Sequence, residues 1–247
     1  MTSVASYRLW EWPWQWVRDL VPGTFDTVLL PVGTMEAHGV IPLGTDALVP
    51  LALAEALAPR LPAVVAPPIY YGLTSSFRHY PGSMTLPARL FTAYAGHVLA
   101  ELARMGFRKL VVLNGHGGQA AEVREAARRV HRRAACGVVV LEWWEHAPVP
   151  DFMGPPGSHG GTAETAAVQA IRPEWVYRDL WREDLQAPVR PGLQAYPFPG
   201  PVMQVEGETL RFLSEAEARA YFDSVVAVVE ATLRRVFRQW SDLGLVE

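Results

Sequence analysis

Thr27-Val-Leu-Leu-Pro-Val32, followed after a short turn by Glu36-Ala-His38-Gly-Val-Ile-Pro-Leu-Gly-Thr-Asp46, joins an apolar run to a cluster of polar side chains. The run is short and β-rich, which predicts a buried strand at 27–32. In extended backbone, residues 36 and 38 point to the same side. A turn through Gly39, Pro42 and Gly44 can bring Asp46 back to meet them. Carboxylate, imidazole and carboxylate at the end of a strand suit a hydrolytic metal site. The plainer reading is loop chemistry, with Asp46 capping a helix that begins at Ala47.

Outward from this stretch, apolar runs at 27–32, 63–66, 109–113 and 138–141 alternate with helical patterns at 47–58, 88–105 and 120–133. This βαβ alternation predicts an α/β fold with a mostly parallel sheet covered by helices on both faces. Ligands are then expected at the carboxyl ends of the strands. A further helix is expected to start near Thr162, and a long amphipathic one to run over 214–240. At 247 residues, half of them hydrophobic, the chain suits one large α/β domain over 1–247. The proline- and glycine-rich stretches at 148–161 and 188–201 read as long loops within that domain.

The formal charge of −3 is small. Arg128, Arg129, Arg132 and Arg133 lie on one helix whose other face is alanine and valine, a solvated face rather than a nucleic-acid surface. Cys136, the single cysteine, excludes an intrachain disulfide framework and cysteine-rich zinc sites. No apolar run reaches the roughly 18 residues of a membrane span, so a soluble, cytoplasmic protein is expected. Trp10, Trp12, Trp14 and Trp16 alternate around Pro13 and match neither a clean strand nor a clean helix. They read as a clamp over the chain's own core or as a subunit contact.

A second motif, Leu113-Asn114-Gly115-His116-Gly117-Gly118-Gln119, lies between a strand and a helix. Its Gly115-x-Gly117 spacing loosely fits a dinucleotide-binding loop, with Glu142 as a ribose partner, which would make the chain an oxidoreductase. That reading leaves His116 without a task. A metal reading uses the imidazole as a ligand and the glycines, Gly117 and Gly118, as room for metal and substrate. A third motif, Ser158-His159-Gly-Gly-Thr-Ala-Glu164-Thr165, delivers the chain into a helix. Glu164 there is favoured by the helix dipole alone, or serves as a ligand, with His159 in acid/base work.

Together Glu36-x-His38 with Gly44-Thr45-Asp46, Asn114-Gly115-His116-Gly117-Gly118 and His159-x-Gly161-x-x-Glu164-Thr165 resemble the creatininase family of metal-dependent amidohydrolases. Tyr80-Pro81-Gly82-Ser83 is similar to that family's aromatic-Pro-Gly turn. The resemblance implies a three-layer α/β/α sandwich, two divalent ions per subunit (zinc, manganese or iron) and a homo-oligomer, often a hexamer. It implies that Glu36 and His116 hold one ion, His38 and Glu164 the other, that Asp46 bridges them, and that His159 shuttles protons. Two ions about 3.5–4 Å apart can share a water of pKa about 7 and polarise a carbonyl, so no side-chain nucleophile is needed.

Two departures shape the expected substrate. Creatinine-cleaving members carry a tyrosine and a ligand glutamate where this chain has Gly117 and Gly118. They also carry a substrate-covering tryptophan where this chain has Gly154, Pro155 and Pro156. The glycine version is similar to branches that act on formamides or on small modified peptides. The expectation is therefore hydrolysis of a small cyclic amide, formamide or similar C–N bond, with a peptidase as the alternative. Trp143 or Trp144, at a strand end, either lines the pocket or packs in the core.

Overall fold

The computed structural model describes residues 4–155, 157–189 and 194–246. In chain order the elements are α1 (Trp14–Leu20), β1 (Thr27–Val32), α2 (Thr45–Leu57), β2 (Ala63–Val65), α3 (Ala88–Arg104), β3 (Lys109–Asn114), α4 (Ala120–His131), β4 (Gly137–Glu142), α5 (Trp143–His146), α6 (Thr162–Ile171), β5 (Gln186–Val189), β6 (Val202–Val205) and α7 (Glu215–Asp242). Strands β2-β1-β3-β4 form one sheet, every pair parallel. This is the expected α/β sandwich.

The sheet is apolar on both faces because both are covered. Leu29, Val111, Leu113 and Leu141 pack against α2, α6 and α7, while Val28, Leu30, Leu110 and Val112 pack against α3 and α4. Pro31 is tolerated in a central strand for a local reason. Its carbonyl accepts from Ile69 N on the side of β2, and β2 pairs with β1 only as far as Leu29. The missing N–H therefore falls where no ladder partner exists.

Helix α7 starts from a full capping box: the Ser214 hydroxyl accepts from Glu217 N, and the Glu217 carboxylate accepts from Ser214 N. The tryptophan segment divides by burial. Trp12 is buried and Trp16 packs beside it under the α3–α4 face, as a clamp requires, while Trp10 and Trp14 remain exposed. A regular helix, α1, does form from Trp14, because Pro13 supplies its extended N-cap rather than an interruption.

The stretch at 188–201 is framed by a second, two-stranded parallel sheet, β5–β6, where only a loop was expected. These strands are four residues long and β5 contains Pro188, so their periodicity was too short to read. Among the described residues, no helix is long and apolar enough to cross a membrane.

Candidate metal centre

Because β1 and β3 are parallel and in register from Thr27↔Lys109 to Val32↔Asn114, the segments that follow both strands emerge at one sheet edge. The Glu36–His38 stretch is held there from outside. Met84 N donates to Met35 O at 2.8 Å, and Ala37 N donates to the Ser83 hydroxyl at 3.0 Å. Ser83 belongs to the Tyr80–Ser83 turn, which Gly82 closes at φ +87°. The turn therefore buttresses the ligand segment.

Asp46 does not cap α2. Gly44 occupies the N-cap, and Asp46 lies in the first helical turn. That turn is pressed onto the sheet edge. A Cβ on Gly33 would lie 2.2 Å from the Asp46 carbonyl carbon, and one on Gly115 would lie 1.9 Å from the Asp46 carbonyl oxygen. These two glycines let the helix start close in on the strands and deliver Asp46. They also account for Gly115 without a cofactor phosphate, and Glu142 is paired with Arg124 at 2.5 Å rather than held for a ribose.

Asn114 fixes the next segment. Its amide donates to His116 O at 2.9 Å and accepts from Gln119 Nε2 at 3.2 Å. His159 and Glu164 come from the loop and first turn of α6. Strand β6 fastens that loop, with Met203 N donating to His159 O at 2.7 Å.

The five expected ligands converge. Glu36, Asp46 and His116 form one group of potential donor atoms within 4.8 Å of one another, and His38, Asp46 and Glu164 form another, with Asp46 common to both. His38 Nε2 lies 2.8 Å from Asp46 Oδ1 and 4.0 Å from Glu164 Oε2. His116 Nδ1 lies 3.0 Å from Glu36 Oε1 and 3.1 Å from Asp46 Oδ2. All five side chains are buried.

Two neighbouring carbonyls set the histidine tautomers. A carbonyl only accepts, so His38 Nδ1, 2.9 Å from Glu36 O, carries a proton and leaves Nε2 facing Asp46. His159 Nε2, 2.7 Å from Ala37 O, likewise carries one and leaves Nδ1 at 3.3 Å from Glu36 Oε1. The His159 ring is held between Phe77 and His38, each 4.1 Å away centroid to centroid.

The electrostatics follow from burial and from carboxylates packed around imidazoles. Burial opposes charge on His38 and His116, but Asp46, Glu36 and Glu164 outweigh it, lifting His38 to about 10 and His116 well above its usual value. Burial likewise opposes the Asp46 charge, yet His38 and His116 hold that carboxyl below the ordinary carboxylate range. Glu164 is pushed up to about 7, first by burial. His159 falls to about 4, through burial and then the neighbouring His38, so it is neutral at pH 7.

Both oxygens of Glu36 and Oδ2 of Asp46 are buried without a hydrogen bond. Imidazole nitrogens stand 3.0–3.3 Å from two of them, Glu36 Oε1 and Asp46 Oδ2, and Glu36 Oε2 has no such neighbour among the described residues. Bare buried carboxylate oxygens are costly unless a cation meets them. Three carboxylates and two imidazoles form a donor set for zinc, manganese or iron. The residues present thus fit a pair of divalent ions.

A cavity of about 350 Å³ opens onto the centre, its walls including Asp46, His116, Gly117, Trp144, His159 and Glu164. Trp143 is not among them. It is only 1% exposed and packs in the core, since α5 starts at that residue and sends consecutive side chains apart. Gly118 faces a second hollow, and a Cβ there would lie 2.4 Å from His116 Nε2. A side chain at 118 would require the His116 imidazole to shift from the position it holds here. Of the second departure, Gly154 and Pro155 are in the described loop and Pro156 lies outside the described residues.

Sequence reading did not single out Gly33, Thr74, Phe77 or Tyr221. A glycine directly after β1 was the available signal for the first; the others are distant in sequence from the motifs they adjoin.

Comparison with known proteins agrees with this fold. The family model for creatininase, described as creatinine amidohydrolase, matches residues 10–233. The creatinine amidohydrolase of Pseudomonas putida is 33% identical over 173 residues, 62% of this chain and 66% of that enzyme. The chain thus spans just under two thirds of that enzyme's length. A mycofactocin precursor peptide peptidase of Mycobacterium tuberculosis is 26% identical over 235 residues, 88% of this chain and 87% of its own. A solved mutant creatininase of the Zn-Zn type superposes with TM-score 0.81 at 25% identity, covering 95% of this chain and 99% of that one.

Proposed function

The chain belongs to the creatininase family of hydrolases, and from that premise we propose that it is a metal-dependent amidohydrolase acting on a small C–N bond, in a cyclic amide, a formamide or a similar group. The observation that carries this reading is the set of three buried carboxylate oxygens without a hydrogen bond, on Glu36 and Asp46, gathered against the imidazoles of His116 and His159. Glu36, Asp46 and His116 would hold one divalent ion and His38, Asp46 and Glu164 the other, Asp46 being shared. Bound there, such ions supply an activated water and an electrophile for the scissile carbonyl.

The remaining steps fall to the chain's own side chains. His159 Nδ1 is the free nitrogen of a ring whose Nε2–H is anchored on Ala37 O. Neutral at pH 7, it accepts a proton and hands it to the leaving nitrogen. Phe77 and the fastened loop keep that ring in place, so proton transfer needs no rearrangement of the imidazole. Gly117 and Trp144 border the substrate space, and Gly118 lies behind His116. The chain forms a single domain and a cytoplasmic homo-oligomer, a hexamer by family resemblance.

A second reading, a peptidase of small modified peptides, is favoured by the bare Gly117-Gly118 pair and by the alignment with the mycofactocin peptidase. One experiment tests both. Protein purified without chelator is assayed by elemental analysis and then screened, metal-loaded, on creatinine, an N-formyl amine and short peptides. Near two ions per chain with turnover of any of these supports the proposal. Fewer than one ion per chain, with none of them hydrolysed, overturns it.

A further inference from the structure

The centre is flanked by two hollows, not one. Besides the cavity of about 350 Å³ on the Asp46 and Glu164 side, a second of about 260 Å³ lies on the Glu36 side. They share His116, Gly117, Ser158 and His159 as a common rim, so the candidate ligand His116 and the proton carrier His159 border both. A substrate whose reacting carbon sits at that rim has room on either side of the scissile bond.

Outside the candidate ligands, each hollow is also lined by one buried hydroxyl that has no hydrogen bond among the described residues. In the first, Tyr221 from α7 is 1% exposed and its hydroxyl has no hydrogen bond. Burial and the charge of Glu164 raise the phenol, so it stays a hydroxyl at neutral pH. In the second, Thr74 is equally buried and its Oγ1 is equally unpartnered. Buried hydroxyls are ordinarily paired, and an orphan calls for an explanation. A substrate group supplies one for both.

Gly117 belongs to the same arrangement. A Cβ there would meet only Trp144, at an ordinary 3.6 Å, so the backbone does not require glycine; its absence of side chain keeps the rim open. We infer that the substrate is an open-chain amide spanning both hollows, its scissile bond at the shared rim, one arm hydrogen-bonded by Tyr221 Oη and the other by Thr74 Oγ1. This rests on the amidohydrolase reading and narrows it: a compact ring fills one hollow and leaves the other hydroxyl unpaired. Tyr221 and Thr74 are then specificity-determining residues, and neither belongs to the ligand set.

The test uses two metal-chelating hydroxamates on the zinc-loaded protein, with binding read by calorimetry. Acetohydroxamate carries almost no arms. Its counterpart is acetyl-glycyl-glycine amide N-hydroxylated at the bond between the two glycines, which carries an amide on each side of the chelating group. The two-armed probe is expected to bind at least about tenfold tighter. Tyr221→Phe and Thr74→Val should each weaken it about three- to tenfold, the worth of one neutral hydrogen bond, with a smaller effect on acetohydroxamate. Gly117→Leu, which narrows the rim, should weaken the two-armed probe more than the small one. Equal affinity of the two probes, or equal effects of the substitutions on both, overturns the inference alone. Failure of acetohydroxamate to bind, with less than one zinc per chain, overturns the amidohydrolase reading along with it.

Discussion

The groove between α3 and α4 is larger than the cavity over the centre, about 520 Å³ against about 350 Å³, and it too is lined by charged side chains, among them Arg104, Arg129 and Arg133. The difference lies in what surrounds the charge. In the groove, Arg104 pairs with Glu101 at 2.7 Å and Arg129 with Glu125 at 2.7 Å, each along its own helix and in solvent. Such pairs are screened and contribute little. At the sheet edge, Glu36 and Asp46 are buried and three of their oxygens lack a hydrogen bond. Buried charge, not volume, marks the site.

The largest test of that contrast is Asp46→Ala. Elemental analysis should find both ions lost, whereas His38→Ala loses mainly one; an Asp46→Ala protein retaining a full ion would show that the two ligand groups are not joined through this residue. Next in size, His159→Ala should lower kcat by about 10²–10⁴-fold on the best amide from the screen, while metal content stays near that of the unaltered protein. Loss of metal together with activity would make His159 a ligand rather than a proton carrier.

The pH dependence of metal uptake follows from the carboxylates around His38 and His116. They keep the metal-free imidazoles protonated through neutral pH, His38 up to about 10, so an incoming ion must displace protons. Affinity therefore rises with pH and falls with acid, by roughly tenfold per pH unit for each proton displaced. Chelator competition at pH 6, 7 and 8 measures it, and a flat profile would contradict the protonated metal-free centre.

The smallest effects compare glycines in the two regions. Gly115→Ala places a Cβ against the Asp46 carbonyl and should cost about 1–3 kcal/mol, read by urea unfolding. Gly96→Ala, inside α3 in the groove, meets only Ala126 at 3.7 Å and should stabilise by roughly 0.5–1 kcal/mol. Equal signs would remove the distinction between the two surfaces.

Much of this was legible beforehand. The strand at 27–32 was readable to its ends because both its faces are buried, which produces an unbroken apolar run. Glu36, His38, Asp46, His116 and Glu164 were readable as candidates because carboxylates and imidazoles gather at strand ends and a helix start. Strands β5 and β6 were not, being four residues each. Trp143 and Trp144 could not be told apart, since which of two consecutive side chains enters the cavity depends on how the chain turns out of β4.

The sequence by itself determined the alternation of strands and helices, the donor types available at the sheet edge, and the resemblance that names the family. Those are matters of local period and residue chemistry. Tertiary structure alone decided that Gly33 and Gly115 admit the first turn of α2, that two carbonyls set opposite tautomers on His38 and His159, and that Tyr221 and Thr74 reach the two hollows. Each of these depends on atoms far apart along the chain meeting in a buried space, where a polar group's cost is set by whether a partner is within reach, and no spacing along the sequence records that.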